Sequence, residues 1–274
     1  MIMFEEIKES ADYLLNLVDF QPETGIVLGT GLGGLVKEID IKYEIPYEEI
    51  PHFPLSTVES HSGRLIFGTL EGVKVVVMQG RFHYYEGYSL QEVVFPIRVM
   101  KLLGINDLFI SNAAGGINTA LNRGDLMIIE DQINHFPGNP LVGKNIDELG
   151  PRFPDMSAPF DKELVKQAVE IASEKNISAK KGVYVGLPGP MLETPAEYKY
   201  LGIIGADVVG MSTVPEVIAA RHMGLRIFAC SIVTDVCYGE IKEVNIQEII
   251  QTAMEAEPSL SLLFKEVIKI SKKK

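Results

Sequence analysis

The sequence predicts an α/β protein of three layers, α/β/α, built on a twisted, mostly parallel mixed sheet. Short apolar runs alternate with longer helical patterns along the 274 residues, and this alternation is typical of a sheet packed between helices. Several of the runs are continuous, as in Val75-Val76-Val77-Met78, which indicates strands covered on both faces. No linker, repeat or low-complexity tract divides the chain, so we expect one domain over residues 1–274.

Each element follows from a local pattern. The apolar runs predict strands at Gly25–Gly29, Arg64–Phe67, Val73–Gln79, Asp107–Asn112, Leu126–Asp131, Gly182–Gly186, Asp207–Met211 and Arg226–Thr234. Helical spacing predicts helices at Phe4–Val18, Leu90–Leu103, Asp161–Glu174, Thr194–Leu201, Val214–Met223 and Asn245–Ser271. Two of these helices have clear start signals, because Thr194-Pro195 and Ser212-Thr213-Val214-Pro215 each offer a capping hydroxyl before a proline.

The composition excludes several classes of partner. The net charge is −12, and an acidic surface repels nucleic acid and anionic membranes. The first residues form no basic and apolar leader, and no apolar run reaches membrane-spanning length, so we expect a cytoplasmic protein. The two cysteines, Cys230 and Cys237, provide neither a disulfide framework nor a metal-ligand set, so we expect reduced thiols and no metal.

Glycine-rich and polar stretches follow four of the strand candidates. They are Gly29-Thr30-Gly31, Gln79-Gly80-Arg81, Ser111 to Gly116 and Gly210-Met211-Ser212. In open α/β sheets, ligands bind at the carboxyl ends of the strands, and small residues there allow a ligand to approach the backbone. We therefore expect the functional site at these four strand ends.

The first of these stretches matches the pattern G-x-G-x-x-G over residues 29–34. A dinucleotide site with this pattern expects an acid at the end of the next strand, but the chain reads Tyr47 to Pro54 there, a loop with two prolines. The context disfavours a nicotinamide-dependent oxidoreductase, which remains a remote alternative. An anion held by backbone N–H groups and the Thr30 hydroxyl is the narrower prediction.

The strongest polar cluster follows the strand candidate Val73–Gln79. Arg81 and His83 lie two residues apart in an extended segment, so they face one side and can donate to one anion. Tyr85 offers a ring and a hydroxyl to a sugar. His61 belongs to a second polar loop, and Ser212 offers a hydroxyl at a helix start.

Taken together, these motifs resemble the low-molecular-mass, trimeric purine nucleoside phosphorylases over nearly the whole chain. The resemblance rests on the joint order of residues 29–34, His61-Ser62-Gly63-Arg64, Gly80-Arg81-Phe82-His83 with Tyr85-Glu86-Gly87, residues 112–116, Arg152-Phe153-Pro154, Gly189-Pro190 with residues 193–197, and residues 210–216. It implies a homotrimer that splits purine nucleosides with inorganic phosphate. Because phosphate is itself the nucleophile, this reaction requires neither a metal nor an organic cofactor.

The resemblance also implies roles for individual residues. Phosphate would be held by Thr30, His61, Arg81, His83, the backbone of Ala113, and Ser212. Ribose and base would contact Tyr85, Met211, Tyr184, Glu193, Val209 and Phe153, the last from a neighbouring subunit. The candidate catalytic residues are His83, Glu193 and Asp235, since the departing purine needs its developing negative charge stabilised.

Some positions depart from the family pattern. Asp235 stands where the family usually has Asn, Ile246 lies at or near a position that often holds a His for the ribose 5′-hydroxyl, and Leu192 replaces an aromatic residue against the base. These departures, with Thr30, resemble the methylthioadenosine phosphorylases, whose substrates carry a 6-amino group. Glu193 instead suits the N1–H of a 6-oxopurine. The base preference therefore stays open between 6-oxopurine and 6-aminopurine nucleosides. Lineage drift, or a different alignment register after Asp235, would also account for the departures. A module that binds purines without turnover is a further alternative.

Overall fold

A mixed sheet of nine strands forms the centre of the computed structural model, which describes residues 4–29, 33–55, 63–239, 243 and 245–271. The strands are β1 Thr24–Leu28, β2 Asp40–Pro46, β3 Arg64–Leu70, β4 Val73–Gln79, β5 Asp107–Gly116, β6 Leu126–Asn134, β7 Ala179–Gly186, β8 Val208–Gly210 and β9 Arg226–Val236. Every strand predicted from the sequence is present. The predicted α/β class and the mixed sheet are thus confirmed.

The strands run in the order β2-β3-β4-β1-β5-β8-β7-β6-β9, and β5 also pairs with β9. Five strands, β5, β8, β7, β6 and β9, therefore form a closed ring, and the other four strands, β2, β3, β4 and β1, extend the sheet from β5. Of the nine pairings between described strands, five are parallel and four antiparallel. The sequence does not predict this closure, because it depends on the length of β9, whose residues pair with β5 on one side and with β6 on the other.

Strand β2 was not among the predicted strands, and its composition explains why. It lies at the edge of the sheet, where it pairs antiparallel with β3, and of its seven residues only Ile45 is buried. Charged residues on an edge strand protect it against pairing with another chain, but they also remove the apolar pattern by which strands are found.

Seven α-helices pack on this sheet within the described residues. They are α1 Phe4–Leu17, α2 Leu90–Val93, α3 Phe95–Leu102, α4 Lys162–Glu174, α5 Pro195–Ile203, α6 Val214–His222 and α7 Ile246–Ser271. The single helix predicted over Leu90–Leu103 is interrupted at Val94, whose ψ of 0° breaks the helix just before Pro96. Thr194 caps α5 with its side chain, as predicted, and accepts a hydrogen bond from the Glu197 backbone N–H.

The longest helix, α7, packs along β9. Its Phe264 ring meets the rings of Phe109 in β5 and Phe228 in β9 at centroid separations of 5.7 and 5.6 Å. All three rings are buried, and burying a Phe side chain contributes about 1.5–3 kcal/mol. This packing fixes the strands whose far ends carry polar residues. None of the described helices is long and apolar enough to cross a membrane.

Candidate active site

A cavity of about 160 Å³ lies where β1, β4, β8 and β9 end and where β5 passes them. Its lining residues are Gly29, Arg81, His83, Tyr85, Asn112, Ala113, Ala114, Gly115, Leu192, Glu193, Tyr198, Val209, Gly210, Met211, Ser212, Thr234, Asp235 and Ile249. The four strand ends singled out in the sequence all contribute to it. One end of the cavity is cationic and the other carries two carboxylates.

Arg81 forms the centre of the cationic end, and it is only 1% exposed. Its Nε and Nη2 donate to one carboxylate oxygen of Glu216, at 3.1 and 2.7 Å. Its Nη1 donates to the Ser111 carbonyl at 3.0 Å and to the Ser212 hydroxyl at 3.1 Å. These bonds hold the guanidinium in one orientation against the wall of the cavity.

His83 lies next to Arg81 and is oriented by Glu86. One carboxylate oxygen of Glu86 is 3.1 Å from the His83 Nδ1 and also accepts the His83 backbone N–H at 2.8 Å. The imidazole stacks on the Tyr85 ring, with centroids 4.7 Å apart and planes 14° from parallel. The carboxylate therefore fixes the ring plane, and the stacked ring restricts its rotation.

Ser212 and Thr213 depart from the prediction that this segment caps a helix through its side chains. Thr213 is the residue before α6, but neither its side chain nor that of Ser212 makes a capping bond. Thr213 has a φ of 67° and a ψ of −52°, and the Val214 N–H donates to the Ser212 carbonyl at 2.7 Å. This tight γ-turn is strained for a β-branched residue, and Asn112 stabilises it by donating to the Thr213 hydroxyl at 2.9 Å. The turn directs the Ser212 hydroxyl towards Arg81.

Two carboxylates, Glu193 and Asp235, lie at the other end of the cavity. Asp235 accepts at both oxygens, from the Thr234 hydroxyl at 3.0 Å and from the Cys237 thiol at 3.4 Å. Burial raises the pKa of Glu193, and the charge of Asp235 raises it further, against a lowering by a hydrogen bond from Tyr198. This end is therefore built to exchange hydrogen bonds with a polar ring edge rather than to hold an anion.

Most of the residues predicted for the site line this one cavity. They are Arg81, His83, Tyr85, Ala113, Leu192, Glu193, Val209, Met211, Ser212 and Asp235. Thr30 and His61 lie outside the described residues. Three others lie away from the lining: Tyr184 is fully buried with its hydroxyl 3.4 Å from that of Ser212, Phe153 is 88% exposed, and Ile246 is 57% exposed.

Sequence reasoning missed several residues of the site. Ile249, three residues after Ile246 on the same helical face, lines the cavity in place of it. Glu216 was not singled out, although a carboxylate in the first turn of a helix beside a predicted phosphate site is a usable signal. Tyr198 gave no signal, because a tyrosine inside a helix usually contributes to a core.

A larger cavity of about 760 Å³ is lined by residues 140–148, by Arg98 and His222 and by parts of α1 and α2. Its walls carry four carboxylates, from Glu5, Glu92, Asp147 and Glu148, against two cations, from Arg98 and Lys144. That balance disfavours an anionic ligand. Convergent polar groups at strand ends identify the smaller cavity as the candidate active site.

Comparison with known proteins agrees with this geometry. The sequence model of the Phosphorylase superfamily matches residues 23–269. Purine nucleoside phosphorylase 1 of Bacillus subtilis is 46% identical over 267 residues, which cover 97% of this chain and 98% of that protein. The crystal structure of isoform 2 of purine nucleoside phosphorylase from Schistosoma mansoni, in complex with cytosine and ribose-1-phosphate, superposes with a TM-score of 0.92 at 44% identity and covers 97% of this chain and 96% of that one. A Schistosoma mansoni purine nucleoside phosphorylase in complex with adenosine superposes with a TM-score of 0.91 at 46% identity, with 97% of each chain covered.

The fold, the site and these matches together define a member of the Phosphorylase superfamily. Within that superfamily, the chain belongs to the purine nucleoside phosphorylase family.

Proposed function

We propose that this protein is a pentosyltransferase that cleaves the N-glycosidic bond of purine ribonucleosides and deoxyribonucleosides with inorganic phosphate, giving the free base and (deoxy)ribose 1-phosphate. The observation that carries the proposal is one cavity with Arg81, His83 and Ser212 at one end and Glu193 and Asp235 at the other. The relatives named purine nucleoside phosphorylase, and the neighbour in complex with ribose-1-phosphate, support the same reaction.

The chemistry divides between the two ends of the cavity. The bond between C1′ of the sugar and N9 of the base breaks, and its electron pair leaves with the purine. A phosphate oxygen forms the new bond to C1′ from the opposite face, through a sugar with oxocarbenium character. Hydrogen phosphate gives up one proton and the departing base takes one up, so the proton balance closes without a cofactor.

Arg81, His83 and Ser212 are our candidates for holding phosphate. A protein with a net charge of −12 repels this anion, so attraction must come from donors close to it. Charge-assisted hydrogen bonds from a fixed guanidinium are the strongest donors available. We also assign Thr30, His61 and the Ala113 backbone to phosphate, and Tyr85, Met211 and Val209 to the nucleoside.

For the base preference, the residues at the carboxylate end favour a second candidate. Asp235 accepts one hydrogen bond at each carboxylate oxygen, from the Thr234 hydroxyl and from the Cys237 thiol. Such a carboxylate accepts from the 6-amino group of adenine, and apolar Ile249 lines the cavity without offering a bond to a 5′-hydroxyl. These features support phosphorolysis of adenosine or methylthioadenosine.

We also propose a cytoplasmic homotrimer in which Phe153 reaches the site of a neighbouring subunit. The exposure of this large ring, 88% in the single chain, supports a partner that covers it.

The test is a substrate panel of inosine, guanosine, adenosine and methylthioadenosine, each with and without phosphate. Release of free base together with ribose 1-phosphate, and only when phosphate is present, is the expected result. Nucleoside binding without base release would instead indicate a binding module, and tight NADH binding in a fluorescence titration would support an oxidoreductase. Asp235→Asn tests the base preference: we expect loss of the 6-amino substrates and a gain with inosine, and an unchanged panel would remove Asp235 from base recognition.

A further inference from the structure

The hydroxyl of Ser212, which we assign to phosphate, has several polar neighbours within the protein. Its Oγ lies 3.1 Å from the Arg81 Nη1, 3.2 Å from the Thr213 Oγ1 and 3.4 Å from the Tyr184 hydroxyl. Ser212 lines the cavity although the residue is only 9% exposed. The direction of its single hydroxyl proton is therefore decided by these neighbours and by the contents of the cavity.

Thr213 connects Ser212 to Asn112. The Asn112 Nδ2 donates to the Thr213 Oγ1 at 2.9 Å, and both residues are buried, at 2% and 1% exposure. Within the part of the chain that the structure describes, the Thr213 hydroxyl has one other partner, the hydroxyl of Ser212. Because an amide N–H group can only donate, the Thr213 oxygen accepts from Asn112, and the Thr213 proton is directed to Ser212.

The Ser212 oxygen then accepts from two directions. A guanidinium N–H can only donate, so Arg81 supplies one of the two protons and Thr213 supplies the other. A hydroxyl oxygen has two lone pairs, and these two bonds occupy both of them. The Ser212 proton is left for Tyr184 or for a ligand. At 3.4 Å the Tyr184 hydroxyl is a distant partner, so an anionic oxygen in the cavity is the better acceptor.

The backbone of Thr213 is a second, independent observation. Its φ of 67° and ψ of −52° form a tight turn that glycine adopts without strain and a β-branched residue does not. The turn is closed by the Val214 N–H, which donates to the Ser212 carbonyl at 2.7 Å. Strain of this kind persists only where contacts of the same residue offset it, and the contacts of the Thr213 hydroxyl are those with Asn112 and Ser212.

We propose that Asn112 and Thr213 are positioning residues for phosphate, because the hydrogen bonds run in one direction, from the Asn112 amide through the Thr213 hydroxyl to that of Ser212, and turn the Ser212 proton towards the anion. We call Asn112, Thr213 and Ser212 the hydroxyl series. This inference rests on the proposed phosphorolysis and adds two residues to its phosphate end. Asn112 and Thr213 act on phosphate through Ser212.

The direction of the hydroxyl series matters because a serine hydroxyl can face an anion in two ways. With its proton towards the cavity, Ser212 donates to a phosphate oxygen. With its proton towards Thr213, it presents a lone pair to the anion, which is repulsive. A series fixed in the first direction prepares the donor before phosphate arrives, so no reorientation is needed on binding.

The test measures the KM for phosphate at saturating nucleoside. Thr213→Val keeps the β-branched shape and removes the hydroxyl, so the KM for phosphate should rise by about tenfold, the effect of one weakened hydrogen bond to a charged group. The KM for the nucleoside should change far less, because the hydroxyl series lies at the phosphate end of the cavity. Thr213→Ser keeps the hydroxyl and should return the KM for phosphate close to its wild-type value.

Ser212→Ala provides the background that separates this role from a structural one. Thr213→Val should raise the KM for phosphate no further in Ser212→Ala, because the hydroxyl through which Thr213 acts is missing. Equal rises in the two backgrounds would show that Thr213 only supports the backbone, and the inference would be overturned.

Asn112→Asp tests the direction of the series. The carboxylate can only accept, so it would take the Thr213 proton and turn the Ser212 proton away from phosphate. Its effect on the KM for phosphate should therefore be larger with Ser212 present than in the Ser212→Ala background. The same effect in both backgrounds would reduce it to charge repulsion between the new carboxylate and phosphate, and would contradict the series.

Neutron diffraction from deuterated wild-type crystals with phosphate guards against variants that fail to fold. We expect the Thr213 deuterium to point at Ser212 and the Ser212 deuterium to point at phosphate. A Ser212 deuterium directed at Thr213 would overturn the inference.

Phosphate affinity, measured by titration calorimetry in the same variants, separates this inference from the proposed function. Absence of phosphate-dependent base release from every nucleoside would overturn the proposed function. The hydroxyl series would still stand if Thr213→Val weakened phosphate binding only where Ser212 is present, and would fall if the affinity were unchanged.

Discussion

Arg81 and Glu216 form an ion pair in which two guanidinium nitrogens share one carboxylate oxygen, at 2.7 and 3.1 Å. Both side chains are buried, at 1% and 3% exposure. The pair joins the segment after β4 to the first turn of α6. It orients the guanidinium so that Nη1 points towards the Ser212 hydroxyl. Glu216, which sequence reasoning did not select, thus orients Arg81, the residue that we propose as a phosphate ligand.

Replacement of Glu216 tests this relationship. In Glu216→Gln, the buried guanidinium loses its counter-charge, so the free energy of unfolding should fall by about 3 kcal/mol. The KM for phosphate should rise as well, because the orientation of Arg81 is less restricted. Chemical denaturation and phosphate saturation curves measure the two effects. Glu9→Gln is the matched control: Glu9 pairs with His52 at 2.8 Å on the surface, where such pairs contribute about 0–1 kcal/mol.

Replacement of Arg81 tests the phosphate site itself. Loss of one charge-assisted hydrogen bond in Arg81→Ala should weaken the use of phosphate by about 1.5–3 kcal/mol, or roughly tenfold to a hundredfold in kcat/KM for phosphate. The affinity for the nucleoside alone should change far less, since Arg81 lies at the other end of the cavity from Glu193 and Asp235. An unchanged phosphate dependence in a folded variant would mean that the anion binds elsewhere.

The strands that could be predicted from the sequence are those whose side chains are buried, because burial leaves an apolar run. Val73–Gln79 was predicted with its observed limits because its apolar run ends where the strand does. Strand β2 was missed because an exposed edge strand carries no apolar run, and the closure of the ring was missed because pairing between distant strands leaves no local pattern.

The candidate site was predictable where donors follow a strand directly, as Arg81 and His83 do. It was less predictable where a side chain reaches the cavity from a helix. Ile249 lines the cavity and Ile246 does not, a difference of less than one helical turn that sequence reasoning cannot resolve. The strained turn at Thr213 was also unforeseen, because nothing in Ser212-Thr213-Val214 distinguishes it from an ordinary helix cap.

Gly115→Ala tests the close fit between Gly115 in β5 and the side chains of Cys237 and Asp235. The new Cβ would meet the Cys237 Sγ at 2.8 Å, so either Cys237 or Asp235 must shift. We expect the KM for nucleosides to rise by about tenfold, the effect of one lost hydrogen bond to a charged group, while the KM for phosphate changes little. Gly202→Ala in α5 is the control, because its Cβ would meet only a methyl group of Ile117, at 3.2 Å. Equal effects of both variants on nucleoside KM would contradict the close fit.

The Asp125 carboxyl makes the free energy of unfolding depend on pH. Its carboxylate accepts from the Ser178 hydroxyl at 2.7 Å, from the Asn122 N–H at 2.8 Å and from Lys180 at 3.3 Å. Burial raises the pKa of Asp125, but these hydrogen bonds and the lysine charge together outweigh burial and lower it below its usual value.

A carboxyl group whose pKa is lower in the folded than in the unfolded state stabilises the fold at pH values above its unfolded pKa, about 3.9, and loses this effect as the pH falls through the folded pKa. Asp125→Asn should therefore be less stable than the wild type at pH 7 and at pH 5. The two proteins should converge as the pH falls below about 4, because protonation removes the advantage of the wild-type carboxylate. Denaturation curves at pH 7, 5 and 3 measure the difference, and a gap that stays constant over this range would show that the bonds to Asp125 do not depend on its charge.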